Sequence, residues 1–153
     1  MAAPITRRVE FAAPVATVWR HLDDDQKIKS WMPEVVDIRY PQGRNAAAPV
    51  GTKFVQSIKE GGRIKDYDGV VTAYDRERLL GIRLGDNKHF HVDVTYRLEA
   101  QGAGSTALHY ECRTTTHSWL ARLMLPIGRS LMKRTLDRYL SRLKQLCESA
   151  GLA

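Results

Sequence analysis

"HSWLARLMLPIGRSLMKRTLDRYLSRLKQLCES" (His117–Ser149) decides how the chain is read. Apolar residues recur in it three and four positions apart, the mark of a long amphipathic helix. On a wheel of about 100° per residue, Met132, Leu136, Tyr139, Leu140, Leu143 and Cys147 gather on one stripe. Leu120, Leu123, Met124 and Ile127 gather on nearly the opposite side. One straight helix cannot bury both stripes against one sheet. Pro126 removes a backbone hydrogen bond and Gly128 eases a bend, so the segment is expected to kink and turn both halves inward.

Upstream, the period changes. Ile5–Phe11 alternates, with Ile5, Val9 and Phe11 on one side and Thr6, Arg8 and Glu10 on the other, a half-buried strand. Pro14 opens a helix whose stripe is Val15, Val18, Trp19 and Leu22. A second short helix covers roughly Asp24–Trp31 and stops before Pro33. Strands follow near Val35–Tyr40, Gly51–Lys59, Arg63–Tyr74, Leu79–Leu84, His89–Ala100 and Ser105–Thr116. Their separators include Gly61-Gly62, Asp75–Arg78, Gly85-Asp86-Asn87 and Gln101–Gly104, short turns that force antiparallel neighbours. Arg44–Pro49 reads as a mobile loop. The expected fold class is α+β: a curved seven-stranded antiparallel sheet wrapped around the long terminal helix, with two short helices after the first strand. Interior Gly69 and Gly81 mark bends or bulges in the sheet, the bulge being expected near Gly69.

The chain has 153 residues, 43% hydrophobic and 27% charged, a fit to one domain over 1–153. Cys112 and Cys147 have no metal-like spacing and read as free buried thiols. No secretory leader and no membrane-spanning run is recognisable, so a reducing cytoplasm is the expected location. The net charge of +7 is concentrated in His117–Ser149, which holds Arg122, Arg129, Lys133, Arg134, Arg138, Arg142 and Lys144 against Asp137 and Glu148. Arg134, Arg138 and Arg142 form an outward row, read as a solvated face, and no nucleic-acid-binding motif accompanies them. A membrane-surface role is disfavoured because the apolar stripes are expected to be buried.

Four stretches, "VEFAAPVATVWRHLDDDQKIKSWMPEVVDI" (Val9–Ile38), "PVGTKF" (Pro49–Phe54), "GVVTAYDRERLL" (Gly69–Leu80) and the basic helix ending "LSRLKQLCE" (Leu140–Glu148), resemble the START/Bet v 1-like (SRPBCC) superfamily in its polyketide cyclase/dehydrase-like branch. The resemblance covers essentially the whole chain. It implies a helix-grip fold enclosing a deep, mostly apolar cavity for lipids, polyketides or other hydrophobic small molecules. Some members catalyse ring closure or dehydration, so cyclase or dehydratase activity is an open possibility here. Others are protein-interaction modules of the heat-shock-chaperone activator type, which here would use the basic terminal helix. It carries over no catalytic residue, cofactor or metal, and either a monomer or a homodimer is compatible with it.

Strand parity gives a lining. Phe90, Val92, Val94, Tyr96 and Leu98 face inward, turning His89, His91, Asp93, Thr95, Arg97 and Glu99 out. His-x-His without an assigned third ligand is a poor metal signal. Leu108, Tyr110, Cys112 and Thr114 are inward on the last strand, with His109, Glu111 and Arg113 in an outer salt lattice. Trp31, Phe54, Tyr67, Tyr96, Tyr110, Met124 and Ile127 are the candidate wall, with Gln56, Tyr96 and Tyr110 as bonds to a ligand oxygen. The alternative for the tyrosines is plain core packing. Arg129 either clamps a ligand carboxylate or enolate or swings into solvent at the bend. Asp66 and Asp68 are the nearest acids, turned outward by parity, and no Ser-His-Asp, Cys-His, phosphate-loop, dinucleotide or HExxH pattern is present.

Overall fold

A computed structural model describes residues 3–150 of the chain. The elements run β1 (Ile5–Phe11), α1 (Val15–Asp23), α2 (Asp25–Trp31), β2 (Val35–Arg39), β3 (Lys53–Glu60), β4 (Arg63–Asp75), β5 (Leu79–Gly85), β6 (Phe90–Ala100), β7 (Thr106–Thr116) and α3 (Trp119–Ala150). One seven-stranded sheet has the order β1-β7-β6-β5-β4-β3-β2, and every neighbour is antiparallel. This is the helix-grip arrangement.

Local chemistry explains the joints. Pro14 is the residue before α1, and its carbonyl accepts from the Thr17 and Val18 amides. Asp24 caps α2, its carboxylate accepting from the Gln26 and Lys27 amides at 2.8 and 3.3 Å. The Trp31 indole N–H donates to the His21 carbonyl at 2.9 Å and locks α2 against α1. Glu60 pairs with Arg63 across Gly61-Gly62, whose φ values of 55° and 80° are those of a two-residue hairpin turn.

Two features of β4 shape the inner face of the sheet. A Cβ on Gly69 would lie 2.2 Å from the Phe54 ring, so that glycine admits the aromatic side chain opposite it. The register shift in β4–β5 falls between Val71 and Ala73, three residues beyond the expected Gly69 position. That bulge flips the parity of β4, which brings Tyr74 to the inner face with Tyr67 and Val71.

The inner faces of β6 and β7 follow their alternation: Val92, Val94, Tyr96, Leu98, Leu108, Tyr110 and Cys112 are buried. Phe11, Val18, Trp19 and Leu22 join them with Leu140, Leu143 and Cys147 of α3. The outer face carries the expected ion pairs, among them Arg83–Asp93 at 2.8 Å and Arg113–Glu111 at 2.8 Å.

The long terminal helix is as expected, but its two apolar stripes are not both turned inward. It runs continuously through Pro126, and Leu120, Leu123, Met124 and Ile127 remain exposed. Ala121, Leu125, Arg129 and Met132 are half-buried and continue the stripe of Leu136, Leu140 and Leu143. The helix therefore keeps one phase. Pro126 itself is exposed, so the hydrogen bond it deletes is lost on the solvent side, where the freed carbonyl is open to solvent.

Candidate ligand-binding cleft

A cleft of about 80 Å³ opens between α1–α2 and the inner faces of β2–β6. Its floor is apolar: Leu22, Ile28, Trp31, Met32, Ile38, Phe54, Val71, Leu80 and Ile82. Among the described residues, none of α3 lines it. The hollow expected between a bent terminal helix and the sheet is thus displaced toward the two short helices, because α3 stays in one phase and its second half fills the space beside β1 with Leu140, Leu143 and Cys147. A larger, open hollow of about 370 Å³ is bounded by Thr6, Arg8, Thr95, Arg97, His109 and Glu111 on the outer face of the sheet. Its charged, solvated lining gives a ligand little to bury, so the smaller apolar cleft is the better candidate.

Two polar side chains face into the apolar floor. Gln56 is buried on β3 and Tyr96 on β6, and neither side chain has a hydrogen-bond partner among the described residues. Tyr96 stands edge-on to Trp31, with ring centroids 6.4 Å apart, and to Tyr110 at 5.3 Å. Burial first, and then the neighbouring Cys112 thiol, push the Tyr96 phenol well above its ordinary range. Burial, Tyr96 and Cys112 do the same to Tyr110. Both are neutral phenols at physiological pH, suited to hydrogen bonding and not to abstracting protons.

The mouth is charged. Asp23 and Asp25 lie at the junction of α1 and α2, Tyr40 and Arg44 on the connection after β2, and Tyr74 past the bulge of β4. The Tyr40 hydroxyl donates to Asp25 at 2.8 Å and the Tyr74 hydroxyl to Asp23 at 3.2 Å. Arg44 donates to the Asp23 carboxylate at 2.7 Å and its carbonyl at 3.0 Å, and lies over the Tyr40 ring. Burial and the Asp25 carboxylate raise the Tyr40 pKa; burial and Asp23 raise that of Tyr74. The segment read as a mobile loop is pinned across the cleft by its first residue, Arg44.

The structure separates the residues expected on the cavity wall. Trp31, Phe54, Gln56 and Tyr96 meet in the cleft. Tyr67 is buried on the same inner face, but its hydroxyl donates to Glu60 at 2.9 Å and its ring packs near Phe90. Tyr110 lies behind Tyr96. Met124 and Ile127 are 51% and 70% exposed and lie off the wall, because the helix does not re-phase at Pro126. Arg129 neither enters the cleft nor swings free: half-buried, it donates to the Ala3 carbonyl at 2.6 Å. His91 and His89 are on the outer side, where His91 contacts His117 at 2.7 Å and His89 contacts Ser118 at 3.2 Å. Among the described residues no cluster of three or more metal-ligating side chains occurs.

Sequence reasoning missed the whole rim. Its one local signal was Asp23-Asp24-Asp25: the middle aspartate caps α2, and its neighbours are left to line the mouth. Tyr40, Arg44 and Tyr74 had no such signal, because their meeting depends on the connection after β2 and on the bulge.

An apolar cleft under two short helices, on a seven-stranded sheet with a long terminal helix, defines a START/Bet v 1-like protein. The sequence matches the family described as polyketide cyclase/dehydrase and lipid transport over residues 2–148, and the chain belongs to that family. No curated protein matches the chain by sequence. Among solved structures, it is similar to a START superfamily protein from Mycobacterium smegmatis, with TM-score 0.77, 18% identity and coverage of 97% of this chain and 99% of that one. An aromatase/cyclase from a Streptomyces species superposes with TM-score 0.76 at 17% identity, over 95% and 93% of the two chains. A norcoclaurine synthase from Thalictrum flavum gives TM-score 0.67 at 13% identity, over 97% and 96%. Among the described residues no helix is long and apolar enough to cross a membrane.

Proposed function

We propose that the cleft binds a small hydrophobic molecule carrying an oxygen function, with its apolar body against Trp31, Phe54 and Leu80 and its oxygen on Gln56 or Tyr96. The observation that carries this reading is the pair of buried polar side chains without protein partners in an otherwise apolar floor. A family described by polyketide cyclisation, dehydration and lipid transport supports it. At about 80 Å³ the cleft is below the ~300–1,000 Å³ of ordinary ligand pockets. Uptake therefore requires the Arg44 contact with Asp23 to open, so that a lipid or polyketide enters past the rim.

The test is titration of the purified chain with a fluorescent fatty acid and with aromatic polyketide mimics, alongside native mass spectrometry of the freshly isolated protein. Tyr96→Phe keeps the ring packing and removes the hydroxyl; it is expected to weaken binding about tenfold while leaving the fold intact. Gln56→Leu should do the same for an oxygen-bearing ligand and not for a plain hydrocarbon. Failure of the wild-type chain to take up any of these ligands refutes the reading.

Catalysis has one supporting observation, the carboxylates of Asp23 and Asp25 at the cleft mouth. In a cyclase or dehydratase they would exchange protons with a folded poly-β-ketone, while the cleft supplies orientation. Turnover of such a mimic that disappears in Asp25→Asn identifies an enzyme; binding without turnover identifies a carrier. Protein docking through the basic row has less support, since Arg138 bonds Glu34 and Arg142 bonds the Ser30 carbonyl of this same chain.

A further inference from the structure

The first half of α3 presents Trp119, Leu120, Leu123, Met124, Ile127 and Leu131 to solvent, Trp119 being 75% exposed. On the helical wheel they fill one arc of roughly 140°, opposite the buried stripe. Between Arg113 and Leu136 the sequence holds no aspartate or glutamate. Among the described residues, Arg122, Arg129, Lys133 and Arg134 form no ion pair, whereas Arg138 and Lys144 further along are paired with Glu34 and Glu148. Arg122 and Lys133 border the exposed arc and Arg134 closes its far end. An apolar strip, broken by Ser130 and edged by cations without ion-pair partners among the described residues, marks this half of the helix.

A second element joins it at the same end of the molecule. The register runs Asp68 to Gly85 to His91 to Thr115 across β4, β5, β6 and β7, so the β3–β4 hairpin projects past the level at which β5 ends. α3 begins just beyond that level, after Thr116. The projecting hairpin carries Lys59, Arg63 and Lys65 and an exposed Ile64; its two acids are both engaged, Glu60 by the Tyr67 hydroxyl and Asp66 by Arg39 and Ser57.

We propose that this end of the molecule docks onto an anionic lipid bilayer, with the α3 strip entering the headgroup–acyl boundary and the cations reaching lipid phosphates. Apolar burial and electrostatic attraction add in such binding, and arginine and lysine stems extend to the headgroups while their helix lies lower. A second copy of the chain fits less well. A two-fold interface would set Arg122, Lys133 and Arg134 near their own counterparts with no carboxylate in the segment to offset them. A bilayer supplies both the missing apolar phase and the missing negative charge. This inference stands apart from the cleft: docking can fail while the cleft binds ligand, and the reverse.

Co-sedimentation of the full chain with phosphatidylcholine vesicles, with and without roughly one-third phosphatidylglycerol, tests it. Partitioning is expected to be at least about tenfold stronger on the anionic vesicles and to fall as salt rises. Trp19 and Trp31 are buried, so a blue shift of emission, or quenching by lipid-borne nitroxide, reports Trp119. Ile127→Asp should weaken partitioning by about tenfold or more, and Arg122→Gln and Arg134→Gln by about fivefold each. These positions are exposed, so unchanged circular dichroism is expected; where a variant misfolds, Trp119 quenching in the wild-type chain decides alone. Equal partitioning on both vesicles, none on either, or a concentration-dependent dimer abolished by Ile127→Asp would each overturn the proposal.

Discussion

From Met132 onward α3 lays Leu140, Leu143 and Cys147 into the core with Phe11, Val18 and Trp19, while up to Leu131 it holds an equally apolar stripe in water. The polar anchors follow the same division. The second half is tied by Arg7 to Asp137 at 2.7 Å, by Tyr139 and Arg138 to Glu34, by Arg142 to the Ser30 carbonyl, and by Glu148 to the Ala12 amide at 2.9 Å. The first half has the Ser118 cap on the Ala121 amide and the Arg129 bond to Ala3. A helix in continuous register can offer only one stripe to a sheet. The stripe chosen here extends over more turns and is backed by ion pairs; the other is left over, and its exposure is available for another partner.

The largest expected effect divides the halves cleanly. Leu143 is fully buried, so Leu143→Ala removes core contacts and leaves a cavity, a loss of about 2–5 kcal/mol. Ile127→Ala, at 70% exposure, should change stability by less than about 0.5 kcal/mol. Urea denaturation of both variants measures the difference. A large loss at Ile127 would mean that the first stripe is buried in solution, contrary to this arrangement.

That contrast also shows what a sequence conveys. Alternation in β6 and β7 named the buried face because period two is local: Tyr96 and Tyr110 face inward, and His91 and Arg113 do not. The two opposed stripes of α3 were equally legible on the wheel. Their resolution was not, since the rule that proline bends a helix is local and the decision to leave one stripe wet is tertiary. The cleft was half legible for the same reason. Trp31, Phe54, Gln56 and Tyr96 follow from parity and helix spacing, whereas Asp23 meeting Tyr74, and Asp25 meeting Tyr40, join residues far apart in the chain through a loop and a bulge.

A smaller effect tests the anchors of the second half. Burial alone would raise the Glu34 pKa, but the Tyr139 hydroxyl, the Glu34 backbone amide and Arg138 outweigh it, and the carboxyl titrates below its ordinary range. The folded state thus holds Glu34 ionised more firmly than the unfolded chain does. Its contribution is present in full above the unfolded value near 4.5 and is lost as the pH falls through the lower folded value. Glu34→Gln should cost about 1 kcal/mol at neutral pH, after allowance for the partial exposure of the pair, and should shrink the difference from wild type below about pH 4. A difference that does not vary with pH would assign the loss to packing of Tyr139, not to charge.

The smallest effect has the opposite sign and bears on whether the first half of α3 is helical at all. Gly128 lies inside the helix two residues after Pro126, its φ is negative, and a Cβ built there meets nothing within 4 Å. Gly128→Ala therefore removes backbone entropy from the unfolded chain without a steric cost, and should stabilise by about 0.5–1 kcal/mol. The gain appears only if residues 119–131 unfold together with the core. If the exposed half frays independently, denaturation followed by core tryptophan fluorescence will show no change, while amide exchange at Ile127 and Arg129 slows. A net loss of stability would show that Gly128 is needed for a bend, and would return the helix to the kinked form that turns both stripes inward.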